Sequence, residues 1–228
     1  MENNVAYYMA DAGIQLDRAW QIISGTLNPE LRRVCQPDTL SNDEKCTPQL
    51  RRIGDMVDTA GWVLYRQGKY AEAELYLRSA YAINASIVNE THLSAVLAKT
   101  GHSDEALQYF LKSCARPGFD HADSTDARVE LAKVLGGEKA LDARLKEVSG
   151  TPEAGATMKV LVLVDEHGKV LEARPADEQT PESLIPQAKS RTLPQIVLPD
   201  HLIRSIRTLE FRREGSAWVL DQSYVGKH

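Results

Sequence analysis

A run of twenty residues, GWVLYRQGKYAEAELYLRSA (61–80), constrains the fold more than any other stretch of this chain. Small residues at Gly61, Gly68, Ala73 and Ala80 alternate with large ones at Leu64, Tyr65, Tyr70 and Leu77. Gly68 suits a tight turn, because glycine alone enters left-handed backbone conformations without steric cost. The spacing predicts one helix ending at Gln67 and a second from Tyr70 to about Asn84. The two would pack antiparallel, each small residue leaving room for a large one opposite.

The pattern recurs 33 residues on, where Ser94, Leu97, Gly101, Ala106, Phe110 and Ser113 take the places of Gly61, Leu64, Gly68, Ala73, Leu77 and Ala80. The turn itself repeats as GKYAEA and GHSDEA. Two copies in register resemble the tetratricopeptide repeat, a helical hairpin that buries its apolar face only by stacking on neighbours. A weaker echo opens the chain, with Leu16 and Ala19 in the places of Tyr70 and Ala73 and Ile14 where the turn glycine would stand. Its first helix carries Val5, Ala6, Met9 and Ala10 on one face, and its second runs from Leu16 to Leu27. The reading is therefore a helical domain over residues 1–149. It has an insertion at 28–49, repeats at about 54–87 and 88–114, and capping helices within 123–149. Those caps would bury Ala127, Leu131, Val134, Leu135, Ala140, Leu141, Leu145 and Val148, since the end of a repeat stack must present a polar outer face.

Beyond Gly150 the composition changes. MKVLVLVDEHGKVLEARPA (158–176) reads as a β-hairpin turning at His167-Gly168, and its first strand is apolar on both faces, as in a central or doubly covered strand. PESLIPQAKSR (181–191) predicts a short helix entered through Thr180 and Pro181. TLEFRR and SAWVLDQSY form a second hairpin around Glu214-Gly215. The fold class expected is α+β: a helical repeat stack followed by a small β-β-α-β-β domain at 156–228.

Bulk properties exclude several functions. A net charge of -5 leaves no basic stripe with which to neutralise phosphates, which argues against nucleic acid as a partner. No apolar run reaches the roughly 18 residues of a membrane span. The N-terminus lacks the basic and apolar regions of a signal peptide and opens almost directly in a helical pattern, so the chain reads as a piece or mature form of something longer. Cys35 and Cys46 bracket a polar loop, a natural place for a disulfide and hence for an oxidising compartment, periplasmic or extracellular. Closing so short a loop stabilises by about 2–3 kcal/mol in the chain-entropy model. Cys114 has no evident partner and is expected to be a small buried hydrophobe.

NVAYYMADAGIQLDRAW (4–20), DTAGWVLYRQGKYAEAELYLRSAY (58–81), GHSDEALQYFLKS (101–113) and VLVLVDEHGKV (160–170) together resemble the C-terminal half of large bacterial multidomain proteins. In those, a transglutaminase-like domain precedes helical repeats and a β-rich tail. The tail here is similar to the C-terminal domain of TonB, which engages partner proteins in the periplasm. The Cys35–Cys46 insertion departs from that family. The resemblance implies that any catalytic domain lies upstream, outside this chain.

No catalytic constellation stands out. Cys114 and His121 are close in sequence, but Pro117-Gly118 intervenes and no motif places an orienting acid. His92 and His102 do not share metal-ligand spacing, and Asp165, Glu166 and Asp177 read as turn acids. No cofactor or metal is expected. Binding is the better reading: in stacked repeats the first helix of each pair lines a concave groove. The groove positions are Tyr8, Asp58, Trp62, Tyr65, Arg66 and Lys99. Trp62 and Tyr65, three apart, share a helix face and would form an exposed aromatic patch beside two cations, suited to a peptide. The function expected is a non-enzymatic protein-interaction module of a larger exported protein. The alternative is the regulatory or substrate-positioning half of a transglutaminase-like or peptidase-like enzyme.

Overall fold

A Cβ added to Gly61 would lie 2.7 Å from Leu77 Cγ, so two helices meet there closely enough that only a missing side chain admits the contact. In the computed structural model of the protein these helices are α3 (Asp43–Arg66) and α4 (Tyr70–Ile83), separated by Gly68 at φ +78°. The model describes residues 1–115, 119, 124–149, 157–198, 201–214 and 217–220. Further hairpins are α1–α2 (Glu2–Asp11, Leu16–Leu31), α5–α6 (Ile87–Lys99, Ser103–Cys114) and α7–α8 (Thr125–Leu135, Glu138–Ser149). Gly101, at φ +89°, makes the α5–α6 turn as Gly68 makes the one before it. Ser86 caps α5 by accepting a hydrogen bond from the Asn89 N–H, which satisfies one of the donors a helix start leaves open. The result is the α+β layout expected, helical hairpins first and an antiparallel sheet after.

By contact the chain divides into two units, residues 1–33 with 52–151, and 34–51 with 152–228. The first unit holds the hairpins. Ala6, Ala10, Ala19, Ile23 and Leu27 bury the opening pair, while Ala73, Leu77, Ala80, Leu93, Val96, Leu97, Ala106 and Phe110 build the central pairs. In α5 every residue from Asn89 to Ala98 is buried, polar ones included. Several expectations fail at the edges of the unit. Val5, Val134 and Ala140 are exposed, and Leu135 and Leu145 are half-buried. Val148 lies outside the residues whose side chains are described. Cys114 is exposed rather than buried, since it ends α6 one position past Ser113, the last buried residue of that helix. Helix α2 continues through Pro29 to Leu31, and α3 begins well before Gly54, at Asp43.

The second unit is a four-stranded antiparallel sheet in the order β2-β1-β3-β4, with β1 (Thr157–Val164), β2 (Val170–Pro175), β3 (Ser205–Glu214) and β4 (Ala217–Leu220). Gly168, at φ +83°, completes the β1–β2 turn, and Asp165 accepts the His167 and Lys169 N–H groups through its carboxylate. That acid is a turn device. The Glu182–Leu184 turn and α9 (Ile185–Lys189) cover one face, where Val160, Val162, Val164, Leu184, Ala188, Leu209 and Phe211 form the core. Residues 34–51, which take in most of the insertion expected at 28–49 in the helical domain, group instead with this sheet, while 28–33 stay with the hairpins. Their 3-10 turn at Leu40–Asn42 contacts β1 and β2, and the Leu40 N–H donates to Glu172 at 2.9 Å. Cys35 and Cys46 are joined across this segment at a Cα–Cα distance of 5.3 Å, within the range a disulfide spans. Along its apolar run 160–164, β1 buries Val160, Val162, Leu163 and Val164 and half-buries Leu161, so both of its faces are covered there.

Candidate functional site

The first helices of successive hairpins, α1, α3, α5 and α7, carry the residues expected to line a groove. On α3, positions 58, 62 and 66 fall on one side because they are spaced four apart, and 65 joins them three on from 62. Trp62 is only 2% exposed and Tyr65 6%, so the open aromatic patch expected of them is corrected here to a core stack. The two rings stack at 4.6 Å, and the opposite partner of Trp62 is His92 of α5, at 4.0 Å and nearly parallel. Tyr7 of α1 approaches the same imidazole at 6.0 Å. The cause is the short distance between neighbouring first helices: side chains from α1 and α5 close over α3.

The charged members of the set are engaged within the stack. Asp58, buried, meets His92 Nδ1 through Oδ2 at 2.8 Å, while its Oδ1 has no hydrogen-bond partner among the described residues. Arg66 donates from Nε to the Ala10 carbonyl at 2.9 Å and from Nη2 to that of Asp11, capping the end of α1. It also pairs with Asp126 of α7 at 3.3 Å and lies 5.2 Å over the Trp62 ring. Lys99 bonds Glu130 of α7 at 2.8 Å and sits 5.5 Å from the Tyr70 ring. Burial, helped by the negative charges of Glu130 and Asp126, pushes the Tyr65 phenol above its ordinary range, so it remains a neutral hydroxyl. The hydrogen bond to Glu130 raises the Lys99 ammonium, keeping it charged. These contacts tie α1 to α3, α3 to α5 and α5 to α7.

Of the six residues, Tyr8, at 68%, and Lys99 are exposed, Lys99 with its ammonium paired to Glu130. His92, Asp126 and Glu130 complete the network and were not expected in it. Asp58 and His92 lie 34 apart and Lys99 and Glu130 lie 31 apart, close to one repeat length. Residues one repeat apart meet across a stack, so opposite polar partners at that offset are the signal that would have found them.

Nothing in the first unit forms a group of metal-binding side chains among the described residues, and the second unit offers none either. His121 lies outside the described residues, so the Cys114–His121 pairing has no structural counterpart here. No helix among the described residues is long and apolar enough to cross a membrane.

Stacked helical hairpins with small residues at their crossings define a helical repeat scaffold. The family model for the tetratricopeptide repeat matches residues 58–94, the stretch from the second half of α3 through α4 into α5. The chain carries a tetratricopeptide repeat, a module whose general use is protein–protein interaction without catalysis. No curated protein and no solved structure matches the chain.

Proposed function

We propose that the chain is a non-enzymatic interaction module of a larger exported protein, and that its repeat stack holds a segment of a partner protein. The tetratricopeptide repeat at 58–94 carries this reading. Trp62 and Tyr65 are packed inside and Arg66 and Lys99 are engaged within the stack, so the contact surface is sought at the α1 end. There Tyr8, which occupies in the first hairpin the place Trp62 holds in the next, stands open beside Val5. Tyrosine is among the side chains enriched at binding hot spots. Export is supported by the Cys35–Cys46 pair, since such bonds persist in oxidising compartments.

The test places a photoreactive phenylalanine analogue at Tyr8 and, separately, at Leu75, an exposed residue of α4. Irradiation in the native cell should give a discrete adduct from position 8 and none from position 75. An adduct at 75 alone, or none at either, refutes binding at the α1 end. Alkylation of the chain taken directly from cells should leave Cys35 and Cys46 unlabelled before reduction; labelling of both would refute the exported location.

A further inference from the structure

The second unit contains a feature independent of the repeats. β2 is an edge strand of the sheet, paired only with β1 among the described strands. A groove of about 460 Å³ runs beside it, with Asp43, Glu44, Glu172, Ala173, Arg174 and Lys189 in its lining. The Ala176 N–H donates to the Lys159 carbonyl, so positions 176, 174 and 172 turn their backbone groups toward β1. The alternate positions, 173 and 175, turn theirs away. At 175 the residue is proline, which has no N–H and is tolerated because that side of the strand has no ladder to complete. Ala173 therefore presents an N–H and a C=O, and Pro175 a C=O, to the groove.

The two walls of the groove carry opposite charge. On the face shared with residues 34–51 stand Asp43, Glu44 and Glu172, against the single guanidinium of Arg174, which lies 3.7 Å from Asp43. On the other face Ala173 packs toward the α9 side, and Lys189 ends that helix. An added strand projects successive side chains to opposite faces. A segment with cations on one face and anions on the other would meet the acidic wall and Lys189 at once.

We propose that the open edge of β2 takes up an extended peptide segment by strand addition, and that the segment it selects alternates basic and acidic residues. The backbone of Ala173 supplies the anchoring hydrogen bonds, and Asp43, Glu44 and Lys189 set the charge order. The site goes beyond the repeat-binding reading and does not depend on it.

The test uses the full chain and two synthetic octapeptides of equal composition. One alternates Lys and Glu singly, which places all cations on one face of a strand. The other alternates them in pairs, which mixes both charges on each face. The single alternation should bind about tenfold more tightly, since each correctly opposed cross-strand charge pair contributes a small increment. Its binding should shift the amide resonances of Leu171, Ala173 and Lys189. Ala173→Pro removes an N–H that no β1 bond uses, so the circular dichroism spectrum should be retained while binding is lost. Should that variant lose its fold, the charge reversal Lys189→Glu serves instead, and should weaken the single alternation about fivefold. Equal binding of the two peptides, no binding of either, unmoved β2 amides, or unchanged affinity in a folded Ala173→Pro or Lys189→Glu variant would overturn the proposal.

Discussion

Replacing Trp62 by alanine separates a core residue from a binding residue. The side chain is 2% exposed, stacked between Tyr65 at 4.6 Å and His92 at 4.0 Å, with Arg66 above it. An aromatic of this size buries about 150–250 Å², which at about 25 cal/mol per Å² is about 4–6 kcal/mol of transfer free energy. Partial collapse of the site returns some of this, and measured losses for such truncations are about 3–5 kcal/mol. A second substitution sharpens the test. Trp62 Nε1 has no hydrogen-bond partner among the described residues, so Trp62→Phe removes a buried donor that is itself costly while keeping most of the ring contact. It should cost less than about 1.5 kcal/mol. Urea unfolding followed by far-ultraviolet circular dichroism measures both, with equal m-values needed for the comparison. A loss below about 1 kcal/mol for Trp62→Ala would mean that the ring is not a core element, and the assignment of the groove aromatics to the interior would fall.

Two more outcomes follow from the same geometry. Reducing the Cys35–Cys46 bond opens a short closed loop and should lower the stability of the sheet unit by about 2–3 kcal/mol, read from the denaturation midpoint with and without reductant; an unchanged midpoint would show that the bond does not act on folding. Glu130 carries a pH dependence: burial raises its carboxyl, but hydrogen bonds from Lys133 and Lys99 more than offset this and hold it below the usual range. A carboxyl depressed in the folded state stabilises fully above its unfolded value, about 4.3, and that contribution is lost as pH falls through the lower folded value. Glu130→Gln should flatten this acid limb in thermal melts between about pH 3 and 5; an unchanged slope would show that the ion pair does not act on folding.

The hairpins were legible because their information is local. Gly61 and Leu77, Gly68 at the turn, and the same spacing one repeat later specify which helices form and how each pair crosses. The β-hairpin at 158–176 was legible for a similar reason, since a two-sided apolar strand and an Asp-led turn are written in adjacent residues. What covers a surface is not local. Trp62 is a groove position by spacing, yet its exposure depends on which side chains of other helices approach α3, and His92 stacks on it from α5, 30 residues away in sequence. The stretch 28–49 reads as a polar insertion among helices, while the contacts of 34–51 group that segment with the sheet, where Leu40 reaches Glu172 across more than half the chain. Local pattern dictated the elements and their pairing; burial, which sums over every neighbour at once, was decided only when the tertiary structure brought those neighbours together.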